Sequence, residues 1–163
     1  THTCNELWLE NVGERVKLSG FIKTVRDLGS VLFLDIRDHY GITQLVMDEE
    51  ALLEKIRRVP VESTICVEGI VSKRDEETVN PAIATGEVEI RVDNIEVLGK
   101  VEEMLPFKVE DSRGVREDLR LEYRFLDLRN EEIHQKITFR SQVLKTFRDK
   151  MDALGFVEIQ TPI

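Results

Sequence analysis

Hydrophobic and polar residues alternate along residues 31–37, a pattern typical of a β-strand with one buried face. Leu32, Leu34 and Ile36 share one face, which predicts that this face packs against a core. Phe33 stands among charged residues on the opposite face. Two interpretations of its ring stay open: it packs into a second layer, or it is a flat surface on which an unpaired base stacks.

Four further stretches are predicted to be strands, and a helix-spaced apolar stripe predicts one helix between the third and the fourth strand. The strands are predicted at residues 16–25, 31–37, 42–47, 63–73 and 87–98, the helix at 49–59, and a polar loop at 74–86. This order is that of an OB-fold, a five-stranded Greek-key barrel that binds oligonucleotides on the face of its second and third strands. The predicted fold class is therefore mainly β.

The C-terminal part of the chain has a different pattern. Residues 99–130 are charged and lack a clear period, which predicts a hinge or small linker. From residue 131, apolar residues recur at intervals of three and four, which predicts a long amphipathic helix with Asn130 as its N-cap and Gly155 just past its end. A strand is predicted from Phe156. Three parts are thus expected: a barrel at 1–98, a hinge at 99–130 and the start of a further domain at 131–163.

Charge and composition exclude several classes of protein. The formal net charge of −9 argues against a protein that coats nucleic acid, although a few placed cations could still read a few bases. No apolar run is long enough to span a membrane and no secretory signal opens the chain, so we expect a cytoplasmic protein without a membrane partner. Cys4 and Cys66 are expected as reduced thiols. No histidine stands at metal-ligand spacing, so no metal site is predicted.

Several short motifs, in this order and spacing, resemble one family. They are Arg26-Asp27-Leu28-Gly29, Phe33-x-Asp35-x-Arg37-Asp38, Gly41-Ile42-x-Gln44, Ala84-Thr85-Gly86-Glu87-x-Glu89, Tyr123-Arg124-Phe125-Leu126-Asp127-Leu128-Arg129 and Gly155-Phe156-x-Glu158-Ile159-x-Thr161-Pro162. Together they resemble the N-terminal third of the bacterial-type aspartyl-tRNA synthetases, which are class II enzymes. The alternatives are the related asparaginyl or lysyl enzymes, and an OB-fold that binds single strands without reading their sequence.

The resemblance implies that the barrel binds the anticodon of the aspartate tRNA and that residues 131–163 begin the class II catalytic domain, whose motif 1 forms a homodimer interface. Phe156, Ile159 and Pro162 are the expected interface residues. The full-length enzyme would use ATP and Mg²⁺ to attach aspartate to its tRNA. Motifs 2 and 3 are missing from this sequence, so we expect it to hold no catalytic residues, to bind no cofactor and to be inactive alone.

The resemblance also assigns the anticodon site. The expected residues are Arg26, Phe33, Gln44, Arg74, Asn80 and Glu89. Phe33 would stack on the central base, Gln44 would hydrogen-bond its edge, Glu89 would read the first base, and Arg26 would contact the backbone or a base. Each polar residue has a plain structural alternative: Gln44 as an ordinary strand residue, and Arg26 and Glu89 as partners of nearby opposite charges.

Overall fold

The computed structural model describes residues 1–160, and the chain divides into two compact units. The first unit is Thr1–Glu103 and the second begins at Met104. This division falls inside the stretch predicted as a hinge. The boundaries at 98 and 130 that the sequence suggested stay predictions.

The first unit is a closed barrel of five strands with a helix between the third and the fourth. The elements are β1 (Arg15–Asp27), β2 (Leu32–Arg37), β3 (Ile42–Met47), α1 (Glu50–Ile56), β4 (Thr64–Lys73) and β5 (Val88–Gly99). Around the barrel the order is β1-β2-β3-β5-β4, and β4 also pairs with β1. The β3–β5 pair is parallel and the other pairs are antiparallel. The predicted OB-fold is confirmed.

The alternation along β2 has the predicted consequence. Leu32, Leu34 and Ile36 are fully buried, whereas Phe33 on the outer face is partly exposed. Each buried aliphatic side chain stabilises the fold by about 2 kcal/mol. The core also takes in the segment before β1, where Cys4 is fully buried. Burial raises the pKa of the Cys4 thiol far above its ordinary value, which keeps it neutral and unreactive.

A buried ion pair fastens the end of β2 to the residues that precede β4. Nη2 of Arg37 donates to both carboxylate oxygens of Glu62, at 2.7 and 2.8 Å. Glu62 has a φ of +67°, a left-handed conformation that is unfavourable for a residue with a side chain. Its amide donates to the carbonyl of Ile22 at 2.7 Å, and the Ile22 amide donates to the carbonyl of Ser63 at 2.9 Å. The pair and these two bonds hold the strained residue in place.

The second unit has a small core of its own, so the stretch predicted as a hinge is partly ordered structure. Its helices are α2 (Glu117–Glu122), α3 (Arg124–Asp127) and α4 (Glu131–Ala153). Phe107, Val109 and Leu126 are buried together. The carboxylate of Asp127 is fully buried and accepts from Nε of Arg120 at 2.9 Å. This local packing lacks a long repeat, which is why periodicity did not indicate it.

The caps predicted for the long helix α4 are confirmed at both ends. Oδ1 of Asn130 accepts from the amides of Glu132 and Ile133, at 3.2 and 3.4 Å. The side-chain nitrogen of Asn130 donates to the carbonyl of Val109 at 3.0 Å, which ties the cap to the rest of the unit. Gly155 has a φ of +84°, the left-handed conformation that ends a helix.

The strand predicted from Phe156 is wrong for the residues that the structure describes. Residues 156–160 are irregular, because a strand needs a partner to which its backbone can hydrogen-bond, and this unit supplies none in its described part. Phe156 and Ile159 are exposed. The third interface residue expected from the sequence, Pro162, lies outside the described residues. The role of all three in dimerisation stays a prediction.

Candidate nucleic-acid interface

A groove of about 380 Å³ opens on the outer face of β2 and β3. Its lining comes from the end of β1 and the turn after it, from β2, from β3 and from the loop between β4 and β5. The lining residues are Arg26, Leu28, Phe33, Gln44, Arg74, Thr78, Val79 and Asn80. Five of the six residues that the sequence predicted for the anticodon therefore surround one groove, and the sixth, Glu89, is hydrogen-bonded to Gln44.

Phe33 forms an aromatic wall of the groove. Its neighbour across the β1–β2 ladder is Arg26, whose guanidinium carbon lies 5.8 Å from the ring centroid, within the range of a cation–π contact. The ring belongs to neither hydrophobic cluster of the described residues. The interpretation in which Phe33 packs into a second core layer is thus not what the structure shows. Its partial exposure leaves the ring available to a planar ligand.

The amide of Gln44 is oriented by charges on both sides. Nη2 of Arg26 donates to Oε1 of Gln44 at 2.7 Å, and Nε2 of Gln44 donates to Oε2 of Glu89 at 2.9 Å. A cation must face the amide oxygen and a carboxylate must face the amide nitrogen, so the side chain has one favourable orientation. Gln44 is buried. One lone pair of Oε1 and one N–H of Nε2 remain for a ligand, and the two bonds fix which of these groups lies on which side of the groove.

Arg74 is the most deeply buried cation of the groove, with a side chain only 2% exposed. Its Nε donates to the carbonyl of Val88 at 3.0 Å, and its Nη1 donates to the carbonyl of Thr78 at 3.4 Å. Oε2 of Glu89 lies 3.9 Å from Nε. Within residues 1–160, Nη2 has no hydrogen-bond partner. Burial lowers the pKa of the guanidinium from its ordinary value, but arginine stays charged in proteins, so a buried cation with a vacant donor lines this groove.

Asn80 is held by the folding of its own loop. Its backbone amide donates to the carbonyl of Gly86 at 3.1 Å, and its Oδ1 accepts from the amide of Ala82 at 3.0 Å. A Cβ atom at Gly86 would lie 1.8 Å from the carbonyl oxygen of Asn80, so this close approach requires glycine. The loop thus presents Asn80 to the groove in a defined position.

The charges of the groove are balanced rather than strongly positive. Arg26 lies 3.8 Å from the carboxylate of Asp35, which also accepts a hydrogen bond from Thr24. With Arg74 near Glu89, each of two arginines has an acidic neighbour. The structural alternatives predicted for Arg26 and Glu89, pairing with nearby charges, are therefore present as well. Such a site suits contacts to a few groups better than general attraction to a phosphate backbone.

Three lining residues were not predicted from the sequence: Leu28, Thr78 and Val79. Leu28 sits in the turn, two residues after Arg26, and its exposed apolar side chain could have indicated the groove. Thr78 and Val79 belong to a loop with no regular pattern, so only the folded loop brings them to the site. The roles of the predicted residues toward RNA stay predictions.

Comparison with known proteins adds independent information. The family profile of the OB-fold nucleic acid binding domain matches residues 16–98, and that of the class II tRNA synthetases (D, K and N) matches residues 116–163. Over 100% of its length the chain is 48% identical to the aspartate–tRNA(Asp/Asn) ligase of Erythrobacter litoralis and spans 27% of that protein. It is 49% identical to the aspartate–tRNA ligase of Streptomyces avermitilis, again over 100% of this chain, and spans 28% of it.

Among solved structures, the asparaginyl-tRNA synthetase of Pyrococcus horikoshii superposes with a TM-score of 0.84 at 28% identity. The match covers 99% of this chain and 36% of that one. In residues 1–160 no helix is both long and apolar enough to cross a membrane. The same residues contain no group of three or more His, Cys, Asp or Glu placed to hold a metal ion.

Proposed function

The chain belongs to the tRNA anticodon family of OB-fold nucleic acid binding domains, and we propose on this basis that its barrel reads the anticodon loop of an aspartate tRNA. The identities of 48% and 49% to two aspartate–tRNA ligases favour an aspartyl enzyme. We propose further that the longer protein containing this chain is an aspartate–tRNA ligase.

The observation that carries the proposal is the vacant donor of Arg74 in a groove that is also lined by the partly exposed ring of Phe33. A buried donor without a partner costs about 1–3 kcal/mol, because it has lost water and gained nothing in return. Nη2 is itself buried, so an acceptor oxygen that reaches it on binding, with a shift of the side chains around it, would remove this cost. Bases and phosphates both carry such oxygens, and a base also has the flat face that Phe33 can stack against. A single-stranded nucleotide supplies both features at once.

The remaining groups of the groove suit the edge of that base. Gln44 offers one acceptor and one donor in a fixed order, as required to distinguish one base edge from another. We assign Phe33 to stack on the central anticodon base and Gln44 to read its edge. Arg26, Arg74 and Asn80 would bind the neighbouring backbone or bases. Glu89 retains one carboxylate oxygen with which to accept from the first base.

The activity of the longer enzyme follows from the family resemblance. It would use ATP and Mg²⁺ to activate aspartate and then transfer it to the tRNA, with both cofactors held by motifs 2 and 3, which this sequence does not contain. We expect it to act as a homodimer in the cytoplasm. The exposed apolar side chains of α4 and after it, among them Phe147, Phe156 and Ile159, support a role in the interface.

The proposal is tested by binding of this chain to the anticodon stem-loop of an aspartate tRNA. A second stem-loop differs from the first only in its central anticodon base. We expect the matched loop to bind about tenfold or more tightly than the changed one, since a bidentate contact to a base edge is worth about 1–3 kcal/mol of discrimination. Equal binding of the two loops would favour a barrel that holds single strands without reading their sequence, and would contradict the proposal.

A further inference from the structure

The turn between β1 and β2 bears on the groove because it carries Leu28 and begins two residues after Arg26, the last but one residue of β1. It is poorly packed: Leu28 is 71% exposed, and a Cβ atom placed on Gly29 would meet no atom within 4 Å. Gly29 has a φ of +88°, a conformation that glycine adopts freely but that does not by itself fix the turn. Within the turn, the Leu28 amide donates to the carbonyl of Val31 at 2.9 Å and the Gly29 amide donates to Oδ1 of Asp27 at 2.8 Å.

Arg57, just past the end of α1, reaches this turn from a different part of the barrel. Its Nε donates to Oδ2 of Asp27 at 3.1 Å, and its Nη2 donates to the carbonyl of Gly29 at 2.5 Å. Its Nη1 donates to Glu50 in the first turn of α1 at 2.9 Å. The two contacts with the turn lie on either side of Leu28. One planar guanidinium thus joins the turn to the helix, which a single ammonium group could not do with the same geometry.

Helix α1 is a firm support for this contact. Leu52, Leu53 and Ile56 are all buried in the barrel core, with exposures of 4%, 0% and 0%. The position of Arg57 is therefore set by the core. A flexible turn that carries ligand-binding side chains gains affinity when it is held in its bound conformation beforehand, because less conformational entropy is lost on binding.

We propose that Arg57 is a positioning residue of the groove, which holds the β1–β2 turn so that Arg26 and Leu28 are in place before RNA arrives. The inference rests on the proposed function, because it concerns RNA binding in the same groove. It goes beyond that function by assigning a role to a residue that does not line the groove. An exposed ion pair in itself contributes little to stability. The effect of Arg57 is therefore expected in the order of the turn and in RNA affinity.

The chain provides a matched control. Arg58 is the next residue, is exposed, and makes no bond to the turn in the described part of the chain, so Arg58→Met removes the same charge from the same surface. In Arg57→Met the amides of Leu28 and Gly29 should exchange with solvent severalfold faster than in the native chain, measured by NMR without RNA. Affinity for the matched anticodon stem-loop should fall about three- to tenfold, the loss expected from one or two hydrogen bonds. Arg58→Met should change neither quantity.

A double variant shows whether the effect reaches the ligand through the turn. If Arg57 acts by placing Arg26, then Arg57→Met should lower affinity less in a chain that already carries Arg26→Ala than in the native chain. Arg57→Lys keeps the positive charge but lacks the planar guanidinium that binds Asp27, Gly29 and Glu50 together. Its affinity should therefore lie between that of Arg57→Met and that of the native chain.

Two results would overturn the proposal: equal exchange of the Leu28 and Gly29 amides in the Arg57 and Arg58 variants, or faster exchange in Arg57→Met with native affinity. Failure of the proposed function would give a different result. The native chain itself would then not distinguish the two stem-loops, while the amide exchange rates of the free protein would still show whether Arg57 orders the turn.

Discussion

Nε2 of Gln44 donates a hydrogen bond of 2.9 Å to Oε2 of Glu89, and this bond fixes which end of the Gln44 amide faces which side of the groove. Arg26 reinforces the same orientation by donating to Oε1 at 2.7 Å. Uracil and cytosine differ at N3, which is a donor in one base and an acceptor in the other. A locked amide can match only one of them in a given stacked position, and we therefore propose that Glu89 contributes to base selectivity through Gln44.

Replacement of Glu89 by glutamine should therefore relax base selectivity. A glutamine at this position accepts or donates equally well, so only Arg26 would then orient the Gln44 amide, and the flipped amide that matches the other pyrimidine would become more populated. We expect the preference for the matched loop over a loop with cytosine at the centre to fall about tenfold in Glu89→Gln. Glu87→Gln, which removes an exposed carboxylate two residues away on the chain, is the control and should leave the preference unchanged. An unaltered preference in Glu89→Gln would show that Glu89 does not orient Gln44.

The Arg37–Glu62 pair should contribute strongly to the stability of the barrel. The side chains of Arg37 and Glu62 are only 12% and 4% exposed, so Glu62→Gln would leave a largely buried cation without its counter-charge. We expect a loss of about 3 kcal/mol in the free energy of unfolding, measured with urea. The control is Glu68→Gln, because Glu68 pairs with Lys17 and Arg15 at the surface, where a loss of less than about 1 kcal/mol is expected. Equal losses in the two variants would contradict this account.

The buried carboxylate of Asp127 predicts a pH dependence for the second unit. Burial raises the pKa of Asp127, but the hydrogen bonds from Arg120 and the positive charges of Arg120 and Arg124 lower it by more, and the pKa is lowered overall. A carboxyl group whose pKa is lowered on folding stabilises the fold above its unfolded pKa of about 3.9, and this stabilisation is lost as the pH falls through the folded value. Asp127→Asn should therefore cost about 1.5–3 kcal/mol at pH 7.

Thermal unfolding of both proteins at a series of pH values checks this dependence. The difference between native chain and Asp127→Asn should be constant near neutrality and should shrink once the pH falls below about 4. Glu122→Gln, at an exposed position in α2, should follow the native curve throughout. A difference that persisted unchanged to pH 2 would mean that the charge of Asp127 is not what stabilises the unit.

The N-cap of α4 can be tested by two replacements at Asn130. Asn130→Ala removes the acceptor for two helix amides and both donors to the carbonyls of Val109 and Glu110, and should cost about 1–2 kcal/mol. Asn130→Asp keeps the acceptor but loses the donors. It should fall between the native chain and Asn130→Ala in amide exchange protection over the first turn of α4. If amide exchange protection in Asn130→Asp is no higher than in Asn130→Ala, the side-chain acceptor at this position does not stabilise the helix.

Local pattern was enough to predict most of the fold. The five strands were indicated by alternation and the α4 caps by the residue types that favour them, because these features depend on neighbours in sequence. The strand expected from Phe156 was wrong since a strand requires a partner that local pattern cannot supply. The predictions also missed the burial of Leu7 before β1, where no repeat marks the residues that enter the core.

The site was predictable only as a set of residue types. Phe33 was indicated by its position on the polar face of a strand, and the family resemblance added the polar residues. The bonds that orient them join distant parts of the chain: Gln44 with Glu89, and Arg57 with Asp27. Such pairs depend on strand register and loop path. The vacant Nη2 of Arg74 is likewise a property of the folded loop and cannot be read from the sequence.

The measurement that tests the central claim most directly is the affinity of Phe33→Ala for the matched anticodon stem-loop, with Tyr40→Ala as the control. Tyr40 is an exposed aromatic residue of the same barrel that does not line the groove. Loss of a base–aromatic stack should cost about 1–3 kcal/mol in Phe33→Ala, with native affinity in Tyr40→Ala. If Phe33→Ala binds the loop as tightly as the native chain does, the groove is not where the anticodon is read.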